Sequence, residues 1–149
     1  MNDKVNEIKV SYKGGVRSAF WTKINHSQDA ANLLFENWDK DTIEVHEAFK
    51  ILLLNNSNKV KGVHQISQGG ITGTLVDIRL LFATILKSLS VAIILAHNHP
   101  SGKLKPSKAD IDITNKIKRA AKFLDILVLD HLIIAPNGGY YSFKDEGVI

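Results

Sequence analysis

The run Leu95-Ala-His-Asn-His-Pro-Ser-Gly-Lys-Leu-Lys-Pro-Ser-Lys-Ala-Asp110 holds two imidazoles, a hydroxyl and a carboxylate at spacings that suit a metal ion. His97 and His99 follow Val91-Ala-Ile-Ile-Leu-Ala96, an apolar run of buried-strand type. Residues two apart on a strand project from one face, so both imidazoles can converge. Pro100, Ser101, Gly102 and Pro106 then signal turns, and Ser107 opens a helical pattern that carries Asp110 one turn along. Histidine, histidine and aspartate would supply nitrogen and oxygen ligands and leave a fourth tetrahedral position for water, the arrangement of a catalytic zinc (Zn2+) rather than a structural one. The site would also lie at the carboxyl end of a strand, where open α/β sheets bind ligands.

Simpler roles exist for each part. Ser107-x-x-Asp110 is also a capping box, in which the hydroxyl accepts from the amide of residue 110 and the carboxylate reaches back. An isolated histidine pair is more often packed or hydrogen-bonded than metallated. The two roles of Ser107 are compatible, since a hydroxyl can cap a helix and still face a substrate.

The pattern His97-x-His99, seven residues, Ser107, two residues, Asp110 resembles the JAMM (MPN+) metalloprotease signature without a gap. The surrounding His97-Asn-His-Pro-Ser-Gly102, Pro106-Ser-Lys-Ala-Asp110, Leu129-Asp-His-Leu-Ile-Ile134 and Tyr140-Tyr-Ser-Phe143 resemble its RadC-like branch, with a likeness running from about residue 27 to the end. The resemblance implies an α-β-α sandwich of the JAB/MPN (cytidine-deaminase-like) type, zinc held by His97, His99 and Asp110, and a glutamate at the start of an early core strand. Glu47, ahead of Lys50-Ile-Leu-Leu-Leu54, fits that place, with Glu44 a weaker competitor. Such a carboxylate would take a proton from the water and deliver it to a leaving amine, while Ser107 would donate to the developing oxyanion. The alternative for Glu47 is a solvated carboxylate at a strand start. His97-Asn98-His99 is not the finger of HNH nucleases, whose three letters stand far apart in sequence; here Asn98 should point away from both neighbours.

The elements that must position these groups alternate. Ser27 is expected to cap a helix reaching about Trp38, and Phe49–Leu54 and Lys59 to about Ser67 form a hairpin across Asn55-Asn-Ser-Asn58. A helix over about 75–89 leads to the motif strand, and the Ser107 helix runs to about Leu124. Strands Ile126–Leu129 and His131–Ala135 and a last segment Tyr140–Phe143 follow. This alternation argues for a mixed α/β sandwich. We expect one domain over 27–149, preceded by a 1–26 extension in which Ile8–Tyr12 reads as a short strand or hairpin arm closed by Gly14-Gly15. Asp130 and His131 should face opposite ways. His131 is read either as a core histidine or as a group orienting a ligand, and Gly69-Gly-Ile-Thr-Gly73 either as a connecting loop or as one that admits a substrate backbone.

Composition narrows the chemistry. The 149 residues are 44% hydrophobic with no cysteine, which suffices for one core and excludes disulfides and thiolate ligands. No apolar run approaches the ~20 residues of a membrane helix, and the polar start does not resemble a signal peptide, so a cytoplasmic protein is expected. The net charge is +4, with Lys103, Lys105, Lys108, Lys116, Lys118, Arg119 and Lys122 in the motif loop and its helix. This basic stretch is either a solvated face or a guide for an acidic substrate, with weak nonspecific nucleic-acid contact at most, since no aromatics interleave. The expected function is zinc-dependent hydrolysis of a peptide or isopeptide bond. The alternative is a noncatalytic, DNA-repair-associated or protein-binding RadC-like module.

Overall fold

The computed structural model describes residues 4–9, 11–69 and 75–149. Five strands form one mixed sheet in the order β2-β1-β3-β4-β5: β1 Ala48–Leu54, β2 Val60–Gln68, β3 Ala92–Asn98, β4 Leu127–Ile134 and β5 Tyr140–Ser142. Only β3 and β4 run parallel, and helix α3 (Lys108–Phe123) makes the crossover between them. Helix α1 (Ser27–Glu36) covers one face, while α2 (Ile78–Lys87) and α3 cover the other. The result is the three-layer α-β-α arrangement of a JAB/MPN fold.

Strand alternation divides the core. Leu52, Leu54, Ile94 and Ala96 pack with Ala30, Ala31 and Leu34 of α1. Phe49, Ile51, Leu53, Ile93 and Leu95 pack with Leu81 and Ile85 of α2 and Ile117 and Ala121 of α3. All seven residues of β3 are buried, as a strand covered on both faces requires. The β1–β2 hairpin closes as its asparagines suggest: the Asn55 side chain accepts from the amides of Ser57 and Lys59, and Asn58 takes φ 58°.

Four local expectations are corrected. Ser27 is the first residue of α1 rather than its cap, because Asp29 reaches back to accept from the amides of Asn25 and His26; the helix ends at Glu36. The second helix is shorter than 75–89, beginning only after Asp77, which caps it by accepting from Arg79 N. Residues 126–129 and 131–135 are not two strands but one, β4, carrying a bulge where Ile93 pairs with Val128 and Ile94 with Asp130. No strand forms at residues 8, 9, 11 and 12, with Val10 outside the described residues. The extension instead meets the sheet edge through a Lys23–Lys59 bridge. Of the glycine loop, 70–73 also lies outside the described residues.

Candidate metal centre

The bulge in β4 decides what faces the motif. Leu129 and Asp130 both turn toward the α1 side, where they line a cavity with Ile24 and Ile94, so His131 falls on the α3 side beside His97. Strict alternation from Val128, which packs on the α3 side, would have sent His131 the other way. The Asp130 carboxylate holds the irregular backbone: Oδ1 accepts from His131 N at 2.7 Å and Lys144 N at 3.0 Å, and Oδ2 from Ser142 Oγ at 2.5 Å. Burial raises the Asp130 pKa despite these bonds.

Beyond β3 the chain turns back, aided by Gly102 at φ +80°, whose amide donates to His99 O. The Lys103 carbonyl lies 2.6 Å from His99 Nδ1. A carbonyl only accepts, so Nδ1 carries the proton and Nε2 of the neutral ring presents a lone pair. Helix α3 then begins with the capping box: Asp110 N donates to Ser107 Oγ at 3.0 Å and Ser107 N to Asp110 Oδ2 at 2.8 Å. Capping does not remove Asp110 from the site. The same Oδ2 lies 3.3 Å from His97 Nε2 and 3.4 Å from His99 Nε2, and the two Nε2 atoms are 3.0 Å apart. Bonds of 2.0–2.1 Å to a tetrahedral ion separate neighbouring ligand atoms by about 3.3 Å. The three donor atoms thus form a triangle of the size a tetrahedrally held metal ion requires, and the group could hold such an ion.

Side-chain exposure is 2% for His97, 12% for His99, 17% for Asp110 and 19% for Glu47, so His97 is the buried corner and the other three groups are partly open to solvent. Glu47 Oε1 is 3.9 Å from His99 Nε2, whereas Glu44 is exposed in the preceding turn. Asn98 does point away from its neighbours and is fully buried. It accepts from Ala48 N and donates to the carbonyls of Ile43 and His46, pinning the segment from which Glu47 emerges. Phe49, Leu75, Val76, Ala109 and Ile113 join Glu47, His97 and Asp110 around a cavity of about 190 Å³. The cavity of about 350 Å³ across the sheet is lined by none of His97, His99 and Asp110.

Charge follows geometry. Burial alone would raise the Asp110 carboxyl, but the His97 and His99 imidazoles beside it, with the Ser107 amide that donates to it, outweigh burial and hold the pKa far below the usual range. Burial disfavours a charged His99, yet Asp110, the Lys103 carbonyl and Glu47 together raise its pKa. Burial, reinforced by His97, holds His131 well below an ordinary imidazole. The basic residues from Lys103 to Lys122 are all exposed, with Lys108 paired to Asp112 at 3.5 Å.

His131 and Thr114 carry more of the site than their sequence context suggests. His131 Nε2 is 2.8 Å from His97 Nδ1, and its Nδ1 is 2.6 Å from Thr114 Oγ1, while Phe143 stacks on its ring at 4.4 Å. Leu129-Asp-His131 was the only local signal, an ionisable pair inside an apolar run.

A family model described as the RadC-like JAB domain matches residues 24–148. A "UPF0758 protein" of Flavobacterium johnsoniae is 56% identical over 69% of this chain and 44% of its own length. One from Porphyromonas gingivalis is 45% identical over 69% of this chain and 45% of itself, and one from Alkaliphilus metalliredigens 38% over 98% and 63%. The chain spans about half the length of the curated relatives it matches. No helix among the described residues is long and apolar enough to cross a membrane. With the motif, the sheet order and the matched span in agreement, the chain belongs to the RadC-like JAB domain family.

Proposed function

We propose that this chain is a zinc-dependent hydrolase that cleaves a peptide or isopeptide bond. The observation that carries the proposal is the triangle of His97 Nε2, His99 Nε2 and Asp110 Oδ2, with edges of 3.0, 3.3 and 3.4 Å. Lone pairs packed so closely repel one another unless a cation or a proton lies between them, and two imidazoles with one carboxylate are a donor set suited to zinc. Bound there, zinc would supply Lewis acidity that brings the pKa of a water to ~7.

The protein groups divide the remaining work. Glu47, beside His99 and partly open to solvent, accepts the proton of the attacking water and passes it to the leaving amine. Ser107 Oγ accepts from Asp110 N, which leaves its own hydrogen free to donate to the oxyanion as the carbonyl becomes tetrahedral. The apolar wall of Phe49, Val76 and Ile113 seats a substrate side chain and excludes water from the reacting amide. The exposed lysines of the motif loop steer an acidic peptide or protein conjugate toward the opening.

Metal analysis of the purified chain, followed by cleavage of a peptide library with and without chelator, tests the proposal. Stoichiometric zinc and chelator-sensitive cleavage support it. A metal-free, inactive protein that still binds duplex DNA or a protein partner would favour the noncatalytic module.

A further inference from the structure

The ligand His97 ends a chain of hydrogen bonds whose direction is fixed at its far end. Thr114 lies one turn beyond Asp110 on α3, and its Oγ1 is 2.6 Å from the Asp110 carbonyl. That carbonyl can only accept, so the Thr114 hydroxyl donates to it. Thr114 Oγ1 must then accept from its other neighbour, His131 Nδ1, at 2.6 Å. His131 is fully buried between Phe49 and Phe143, and among the described residues its ring has hydrogen-bond partners only in His97 and Thr114. With no carboxylate bonded to it the ring is neutral, its Nε2 is bare, and it accepts from His97 Nδ1 at 2.8 Å. The remaining nitrogen of His97, Nε2, therefore faces the triangle with its lone pair.

We infer that His131 and Thr114 are positioning residues that fix the tautomer of His97, so that Nε2 faces Asp110 and His99 before any metal arrives. This inference rests on the metal-site proposal. The chain of bonds runs from His97 on β3 through His131 on β4 to Thr114 on α3, and closes on the backbone of Asp110 itself. It therefore sets both the orientation of one ligand and the docking of the helix that supplies another. Partners of this kind typically change metal affinity 10–100-fold when removed.

The test uses the full chain, with zinc affinity measured by competition against a chromophoric chelator and imidazole protonation read from 15N-histidine NMR of the metal-free protein. In the parent, His97 and His131 should both show the proton on Nδ1, the less common form of a free histidine side chain. Thr114→Val is close in shape but cannot accept from His131; it should lose that pattern and weaken zinc about 10–100-fold. Thr114→Ser should restore both. Thr114→Val with parental affinity and an unchanged Nδ1–H pattern would overturn the inference. So would parental His97 or His131 protonated on Nε2, whatever metal is present. A parent that shows the expected tautomers yet binds no zinc would defeat the metal proposal while leaving the proton order standing. His131→Phe, which keeps an aromatic ring between Phe49 and Phe143, gives an independent reading: parental affinity there also overturns the inference.

Discussion

Zinc bound by the folded chain must raise its melting temperature, and His99→Ala should abolish that rise. A ligand that binds only the native state adds RT ln(1 + [L]/Kd), which is ~2.7 kcal/mol at 100 times Kd and ~4.1 kcal/mol at 1,000 times Kd. For a chain of this size each kcal/mol moves Tm by roughly 2–4 °C, so the parent should gain about 5–11 °C at the lower loading and about 8–16 °C at the higher. Zinc binding to the six histidines of the unfolded chain would shave these figures. His99 is the better choice of variant. It belongs to neither hydrophobic cluster and follows the end of β3, so its metal-free stability should stay within about 1 kcal/mol of the parent. His97 is buried and stacked against Phe49, and its loss would mix packing with ligation. Calorimetry across a zinc titration, with chelator reversal, reads the difference. An equal zinc-dependent shift in His99→Ala and parent would refute the ligand assignment, and no shift in the parent would refute the site.

Glu47→Gln should retain that zinc shift while losing nearly all turnover of a validated peptide, because an amide can hold a water but cannot take its proton; parental turnover would place the base elsewhere. Ser107→Ala should lower turnover by on the order of 10²–10³ and, through the lost cap on α3, stability by about 1 kcal/mol. A lower Tm with unchanged turnover would leave Ser107 as a cap alone. Neutralising Lys103, Lys105 and Lys108 together should weaken capture of an acidic peptide at low salt, with the difference shrinking as salt is added. Tight, sequence-selective duplex binding at physiological salt, indifferent to zinc removal, would contradict the steering role and favour the nucleic-acid module.

The clustering of His97, His99 and Asp110 was legible in the sequence because every step that builds it is local. A strand sets the His97–His99 spacing, a glycine turn reverses the chain, and a capping box fixes Asp110 relative to Ser107. Asn98 was legible as pointing away, but its clamp on the Ile43–Ala48 segment spans about fifty positions and leaves no local mark. The β4 strand was split in the sequence because Asp130-His131 interrupts an apolar run. Those two polar groups are tolerable inside it only because Ser142, Thr114 and His97 satisfy them from distant positions. Ser27 looked like a cap because its type is common there, while the carboxylate that reaches back lies two residues further on.

The bulge also connects the two faces of the sheet, since Asp130 pins on the α1 side the backbone that aims His131 toward His97 on the α3 side. Asp130→Ala would leave the buried Ser142 hydroxyl and the amides of His131 and Lys144 short of an acceptor, at about 1–3 kcal/mol for each group left unsatisfied. We expect it to weaken zinc as well, although Asp130 touches none of the three ligands, because His131 would no longer be held against His97. Asp130→Asn can still accept from both amides and donate to Ser142, so it should preserve the bulge and the zinc affinity. The pH dependence separates the two effects. A carboxyl whose folded pKa is raised binds its proton more tightly in the native state, so its contribution to stability falls as pH rises from the unfolded value of 3.8 through the folded one. Asp130→Asn should remove that slope, giving a melting temperature less sensitive to pH just above the ordinary carboxylate range. Asp130→Ala with parental zinc affinity would mean that the bulge persists without its carboxylate, and that His131 is aimed by Thr114 and Phe143 alone.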